Sequence, residues 1–241
     1  MKEAGGASSQ NFEETLTVLD LSQYSFAEIG SSACTPIACS AAVALLHRLE
    51  NDIDIDDASF LNEAIIIGVA SYSNIQHLRV GDHMSVEEYS ALSQDMQQKV
   101  VKVGESFQGL LTELSPFRNL IRRAQEQAAT FSSSTTNYVG IIITKPPETV
   151  CITVPSLSND KGSAKIYSFF DSHSRPEYGL TGSYLVTSSS IESVLHRLSS
   201  IFPQVDLEGC FNDTYMQMLY TTYEATVFQI AAEALNLASL P

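Results

Sequence analysis

The 241-residue chain predicts an α+β fold in which an enclosed helix precedes an antiparallel sheet. From Pro36 to Leu49 almost every position is apolar, with Ser40, His47 and Arg48 the exceptions. A helix apolar all round must be covered on every side. Helical periodicity also marks Ala58–Tyr72, Val86–Gln98 and Pro116–Gln127. Past the serine-threonine tract Ser132–Thr136 the pattern turns β-rich, in Tyr138–Thr144, Thr149–Val154, Lys165–Asp171 and Ser183–Thr187.

Taken in order, Met1–Gln10 are small and polar and are expected to form a disordered tail. Thr15–Leu21 alternates as a short strand does. Thr35 is the expected N-cap of the apolar helix, with Pro36 at its first helical position. The acidic stretch Glu50–Asp57 reads as a solvated linker in which Asp56 or Asp57 caps the next helix. Lys145-Pro146-Pro147-Glu148 joins two strands as a hairpin connection. Ile191–Phe202 and Thr214–Leu237 return to helical periodicity, and there is no internal repeat. The expected organisation is one α+β domain over residues 11–241. A mainly helical lobe fills 11–130, and a four-strand sheet with C-terminal helices fills 138–241.

With 13 Lys+Arg against 28 Asp+Glu, the formal net charge is −15. That balance argues against nucleic acid and anionic lipid, which are held mainly by Lys and Arg. The runs Ala41–Leu46 and Ala64–Ala70 are too short to span a membrane, so no membrane insertion is expected. The first residues lack the apolar stretch of a signal peptide. Cys34, Cys39, Cys151 and Cys210 therefore read as reduced thiols in a cytoplasmic setting, and no CxxC pair offers a zinc site. GxGxxG, P-loop and GxSxG motifs are missing, which disfavours nucleotide-binding and serine-hydrolase readings; no cofactor is expected.

Two places carry chemistry. Cys34, in Gly30-Ser31-Ser32-Ala33-Cys34-Thr35-Pro36, sits at the threshold of the apolar helix. Unpaired N–H groups and the helix dipole there favour an anion and lower a thiol pKa. The plain alternative is a small apolar residue filling the helix start. Asp171-Ser172-His173 closes a β-run, and the period of two sets the carboxylate and imidazole on one face. Such a carboxylate fixes the imidazole tautomer and stabilises the imidazolium. Here the plain alternative is a strand end entering a turn. Two metal readings are weaker. Asp52, Asp54, Asp56 and Glu63 match positions of a calcium-binding EF-hand loop, but Asp57 stands where that loop turns on Gly. His77, Asp82 and His83 match no ligand spacing. His47 and His196, each beside an arginine, read as surface residues.

Together, a Cys opening an apolar helix and a later Asp-x-His resemble one branch of the papain-like cysteine peptidases. The branch includes herpesvirus tegument deubiquitinases, autophagy proteases of ubiquitin-like modifiers and the peptidases that mature ubiquitin-fold modifiers. The tegument enzymes look closest, because Ser172 stands where the other two groups usually have Pro. The resemblance covers Gly30–Leu46 and Ile166–Tyr178. It implies a papain-like fold, Cys34 as nucleophile, His173 as general base and acid, and Asp171 as its orienter. It further implies a Gln or Tyr upstream of the Cys in the oxyanion hole. Gln23 and Tyr24 lie eleven and ten residues before Cys34, and Gln23 is preferred.

The activity so implied is a thiol peptidase cleaving the C-terminal linkage of ubiquitin or a ubiquitin-like protein, which is also the expected partner. Gly30, Ser31, Ser32 and the loop Gly179–Gly182 are expected to line a groove for a narrow Gly-Gly tail. The alternative is a non-catalytic pseudo-peptidase or adaptor that binds a modifier or partner protein. The oligomeric state is left open.

Overall fold

The computed structural model describes residues 14–78, 84–131, 136–158, 165–203, 220–232 and 234. The expected tail, the loop 132–135, Asp82, His83 and Cys210 lie outside them. In chain order the elements begin with β1 (Glu14–Val18), a 3-10 turn (Gln23–Phe26), α1 (Ala27–Gly30), α2 (Cys34–Glu50) and α3 (Phe60–Ile75). Then come α4 (Val86–Leu92), α5 (Gln94–Lys99), β2 (Val100–Lys102), β3 (Phe107–Leu110) and α6 (Pro116–Thr130). The chain continues through β4 (Tyr138–Lys145), β5 (Glu148–Pro155), β6 (Tyr167–Asp171), β7 (Tyr184–Ser188), α7 (Ile191–Ile201) and β8 (Thr222–Ile230).

The strands form an eight-stranded sheet in the order β1-β7-β6-β5-β4-β8-β2, with β3 also on β8, and every pairing is antiparallel. Helix α2 lies against β4 and β5, as its all-apolar surface requires. Its residues Ile37, Leu45 and Leu46 share a core with Ile142, Cys151 and Phe170 of the sheet. The opposite sheet face, with Ile141, Ile143, Ile152 and Phe169, is covered by Leu120 and Ile121 of α6 and by Val194 and Leu198 of α7. Burial of both faces explains why β4 and β5 read as continuous apolar runs instead of alternating ones.

Three expectations need correction. Within the segment 214–237, read as helical, the described residues Thr222–Ile230 form strand β8, paired with β4, β2 and β3. Tyr223, Ala225 and Val227 face one core and Phe228 and Ile230 the other. The sheet therefore exceeds four strands, and the lobe before residue 130 contributes β1, β2 and β3 to it. The helix foreseen over 86–98 breaks at Ser93, whose extended backbone and hydroxyl, accepting from the Met96 N–H at 3.3 Å, start α5 anew. Finally, α2 begins at Cys34 with Ala33 as N-cap. Thr35 turns its hydroxyl to Thr149 on β5 at 3.1 Å instead of capping, and Pro36 falls in the first turn, where a missing N–H loses nothing.

Helix α3 closes on α2 at Gly68, where a Cβ would stand 2.6 Å from Cα of Ile37. The neighbour is helix backbone and has no side-chain freedom with which to yield. Gly68→Ala is expected to destabilise the fold by about 1–3 kcal/mol through overpacking. Chemical denaturation should show this as a lower midpoint at unchanged slope.

Candidate active site

The site is built at one end of the sheet. Asp171 is the last residue of β6, level with Tyr184 of β7 and 0% exposed. Its Oδ1 accepts from His173 Nδ1 at 2.6 Å and from the His173 backbone N–H at 2.9 Å. Oδ2 accepts from Arg175 Nε at 2.9 Å and from the Tyr184 hydroxyl at 3.4 Å. Burial alone pushes this carboxyl up. The hydrogen bonds from His173 and the charges of His173 and Arg175 outweigh it and hold the group below its ordinary value. With Nδ1 committed to Asp171, the His173 nitrogen left for chemistry is Nε2.

Because the fold favours ionised Asp171, its stabilising share is present above the unfolded pKa of about 3.9 and is lost as pH falls through the lower folded value. The difference in melting temperature between wild type and Asp171→Asn should therefore narrow steadily below about pH 4. A difference that stays constant down to about pH 2 would contradict this linkage.

Gln23 opens the 3-10 turn and is buried. Its backbone N–H donates to the Ser172 carbonyl at 3.0 Å, and its Oε1 accepts from the Ser172 hydroxyl at 2.9 Å. With its oxygen fixed in this way, the Gln23 carboxamide turns its Nε2 donors the other way, where they also meet the Tyr24 hydroxyl. Tyr24, 54% exposed, tilts its ring against that of His173 with centroids 6.0 Å apart. Two glycines hold this segment by backbone contact. A Cβ on Gly30 would stand 1.8 Å from the Gln23 carbonyl oxygen, and one on Gly182 1.9 Å from that of Leu19. Gly30 thus packs against the backbone of the Gln23 turn, and Gly182 against that of Leu19 just before it. A Cβ on Gly179 would meet nothing within 4 Å, but the residue sits at φ +75°, which suits glycine.

Cys34 is the first residue of α2 and only 3% exposed. Its thiol donates to the Pro147 carbonyl, in the turn between β4 and β5, at 3.6 Å. Burial pushes the Cys34 thiol up, against the hydrogen bonds of Thr149 and Thr35, which pull it down. The lowered pKa expected from a helix start is therefore not what the surroundings give: burial outweighs the hydrogen bonds that favour the thiolate. Burial also raises Cys39 and Cys151, both 0% exposed.

The turn that holds the thiol adjoins the Asp-His pair. Strand β5 meets β6 with Cys151 opposite Phe170 and Ile152 opposite Phe169. The start of β5 at Glu148 and the end of β6 at Asp171 therefore lie at the same end of the sheet. Arg175 spans the two, gripping both Glu148 oxygens at 2.8 and 2.9 Å. The structure thus brings Asp171, His173 and Gln23 together directly and links Cys34 to them through the β4–β5 turn. Sequence reasoning missed Arg175, Glu148 and Tyr184. The four-residue step from Asp171 to Arg175 is a signal, but nothing local pairs Glu148 with an arginine 27 positions on.

The acidic loop is held by bonds within itself. Asp54 Oδ1 accepts from the Asp56 N–H at 2.8 Å and Asp57 Oδ1 from the Ser59 N–H at 3.0 Å, so these carboxylates close local turns. Among the described residues no three His, Cys, Asp or Glu side chains gather as metal ligands. His196 is exposed and His47 half-buried. No described helix is long and apolar enough to cross a membrane.

No protein-family model and no curated protein matches the chain. Among solved structures, it is similar to the ubiquitin-specific protease encoded by murine cytomegalovirus tegument protein M48, solved in complex with a ubiquitin-based suicide substrate. The TM-score is 0.56 at 10% identity, and the match covers 93% of each chain. The chain has the fold of a viral ubiquitin-specific protease. The resemblance to herpesvirus deubiquitinases, carried in the sequence by two short segments, extends over nearly the whole length, and the α+β, papain-like class stands with it. At 10% identity the likeness establishes the fold and leaves the chemistry to the residues themselves.

Proposed function

We propose that the chain is a thiol peptidase that cleaves the C-terminal linkage of ubiquitin or a ubiquitin-like modifier. The observation that carries the reading is the buried Asp171–His173 pair beside a turn that holds Cys34 at a helix start, in the fold of a ubiquitin-specific protease. The reaction is acyl transfer. The Cys34 thiol passes its proton to His173 Nε2 and its sulfur bonds to the carbonyl carbon of the modifier's last residue. Gln23 Nε2 donates to the resulting oxyanion. The C–N bond breaks as the leaving amine takes the proton from His173. Water, deprotonated by His173, then releases the acid and restores the thiol. Asp171 keeps the imidazole in the tautomer that each step needs. The formal charge of −15 suits a partner with a basic face, and a thiol nucleophile suits a reducing, cytoplasmic setting.

The test is turnover of ubiquitin and ubiquitin-like proteins carrying a C-terminal fluorogenic amide. Release by the wild type and none by His173→Ala is expected. The near-complete burial of Cys34, with its proton aimed at Pro147, favours a second reading, a non-catalytic adaptor on the same fold. Saturable binding of the intact amide without release by wild type would select it.

A further inference from the structure

The two halves of the candidate site come from separate parts of the chain. The dyad ends β6, whereas the cysteine opens α2 and rests on the β4–β5 turn. Arg175 joins them. Its NH1 and NH2 grip both carboxylate oxygens of Glu148, and its Nε donates to Asp171 Oδ2. Its side chain is 11% exposed, so the fork is largely shielded from solvent. Glu148 follows Pro147, whose carbonyl accepts the Cys34 hydrogen bond, and precedes Thr149, whose hydroxyl meets that of Thr35. One planar cation therefore touches the wall beneath the sulfur and the carboxylate that steers the imidazole.

We propose that Arg175 is a positioning residue that sets the alignment of Cys34 with His173 by clamping Glu148 and Asp171 at once. The inference rests on the peptidase reading for the reaction it serves, though the alignment can be measured without substrate. Only arginine suits the place. A lysine supplies the charge at a single point, while the guanidinium presents donors in a rigid fork. A stability change alone would be uninformative, since breaking any buried ion pair destabilises.

The experiment measures alkylation of Cys34 by iodoacetamide at neutral pH in the full chain, mapped by mass spectrometry. Wild type, Arg175→Lys, Arg175→Gln and Glu148→Gln are compared, each with and without His173→Ala, and melting curves confirm that each is folded. Where His173 is present, each fork variant is expected to slow the Cys34 reaction about tenfold or more, Arg175→Lys included. Where His173 is already Ala, the same changes should have no further effect, because no aligned base remains to lose. Equal effects in both backgrounds, faster alkylation from simple loosening, or a wild-type rate indifferent to His173→Ala would each overturn the proposal. The failure of the substrate reading looks different. A wild type that shows this His173-dependent coupling yet ignores every ubiquitin-type electrophile supports the clamp and removes the modifier as substrate.

Discussion

Cys34→Ala is expected to abolish turnover of a ubiquitin-type amide, a loss on the order of 10⁶ when a peptidase loses its nucleophile. The fold should survive the change. The substitution removes one sulfur and its long hydrogen bond to Pro147 at 3.6 Å, and leaves a good helix former in the first turn of α2. The melting temperature should therefore move by only a few degrees, on about 1 kcal/mol. His173→Ala should silence turnover comparably while leaving the thiol in place. Asp171→Asn should be milder, because the orienter can be partly replaced. Activity that persists in Cys34→Ala would assign the reaction to another group.

Gln23→Ala carries the second large effect. Removing one oxyanion donor costs about 10²–10³ in kcat. KM should hold nearly constant, because the lost interaction forms only as the carbonyl oxygen gains charge. Ser172 provides the control. Its hydroxyl fixes Gln23 Oε1 at 2.9 Å, so Ser172→Ala should lower kcat by a smaller factor through misalignment of the carboxamide. Steady-state kinetics on one fluorogenic substrate reads both. A Gln23→Ala enzyme with raised KM and normal kcat would make Gln23 a binding residue. Tyr24, exposed beside His173, would then be the next oxyanion candidate to test.

Much of this was legible along the chain wherever one strong constraint acted locally. The apolar run after Pro36 admits only an enclosed helix, and Asp171-x-His173 is a local pair whose members meet where the strand ends, the carboxylate also holding the His173 N–H. Elements that depend on distant partners were hidden. Strand β8 precedes an Ala- and Leu-rich stretch that imposes helical periodicity on the segment, and its β-forming Thr226 and Val227 are satisfied by β4 across more than eighty residues of sequence. The short β2 and β3 gain strand character only by pairing with β8. The thiol environment was misjudged for a related reason: helix position is readable from sequence, whereas burial under the β4–β5 turn is a tertiary fact. Arg175 and Glu148 likewise become partners only through the folding of β5 against β6.

The central claim, that Cys34 served by His173 attacks the C-terminal carbonyl of a ubiquitin-type protein, is most directly tested by site-mapped adduct formation. The full chain is incubated with ubiquitin and ubiquitin-like proteins bearing a C-terminal electrophile, then digested and sequenced by mass spectrometry. The account predicts one adduct per chain with at least one of these probes, on Cys34, lost in Cys34→Ala and strongly slowed in His173→Ala. No adduct with any probe, or modification spread to Cys39 and Cys151 at rates indifferent to His173, would contradict it.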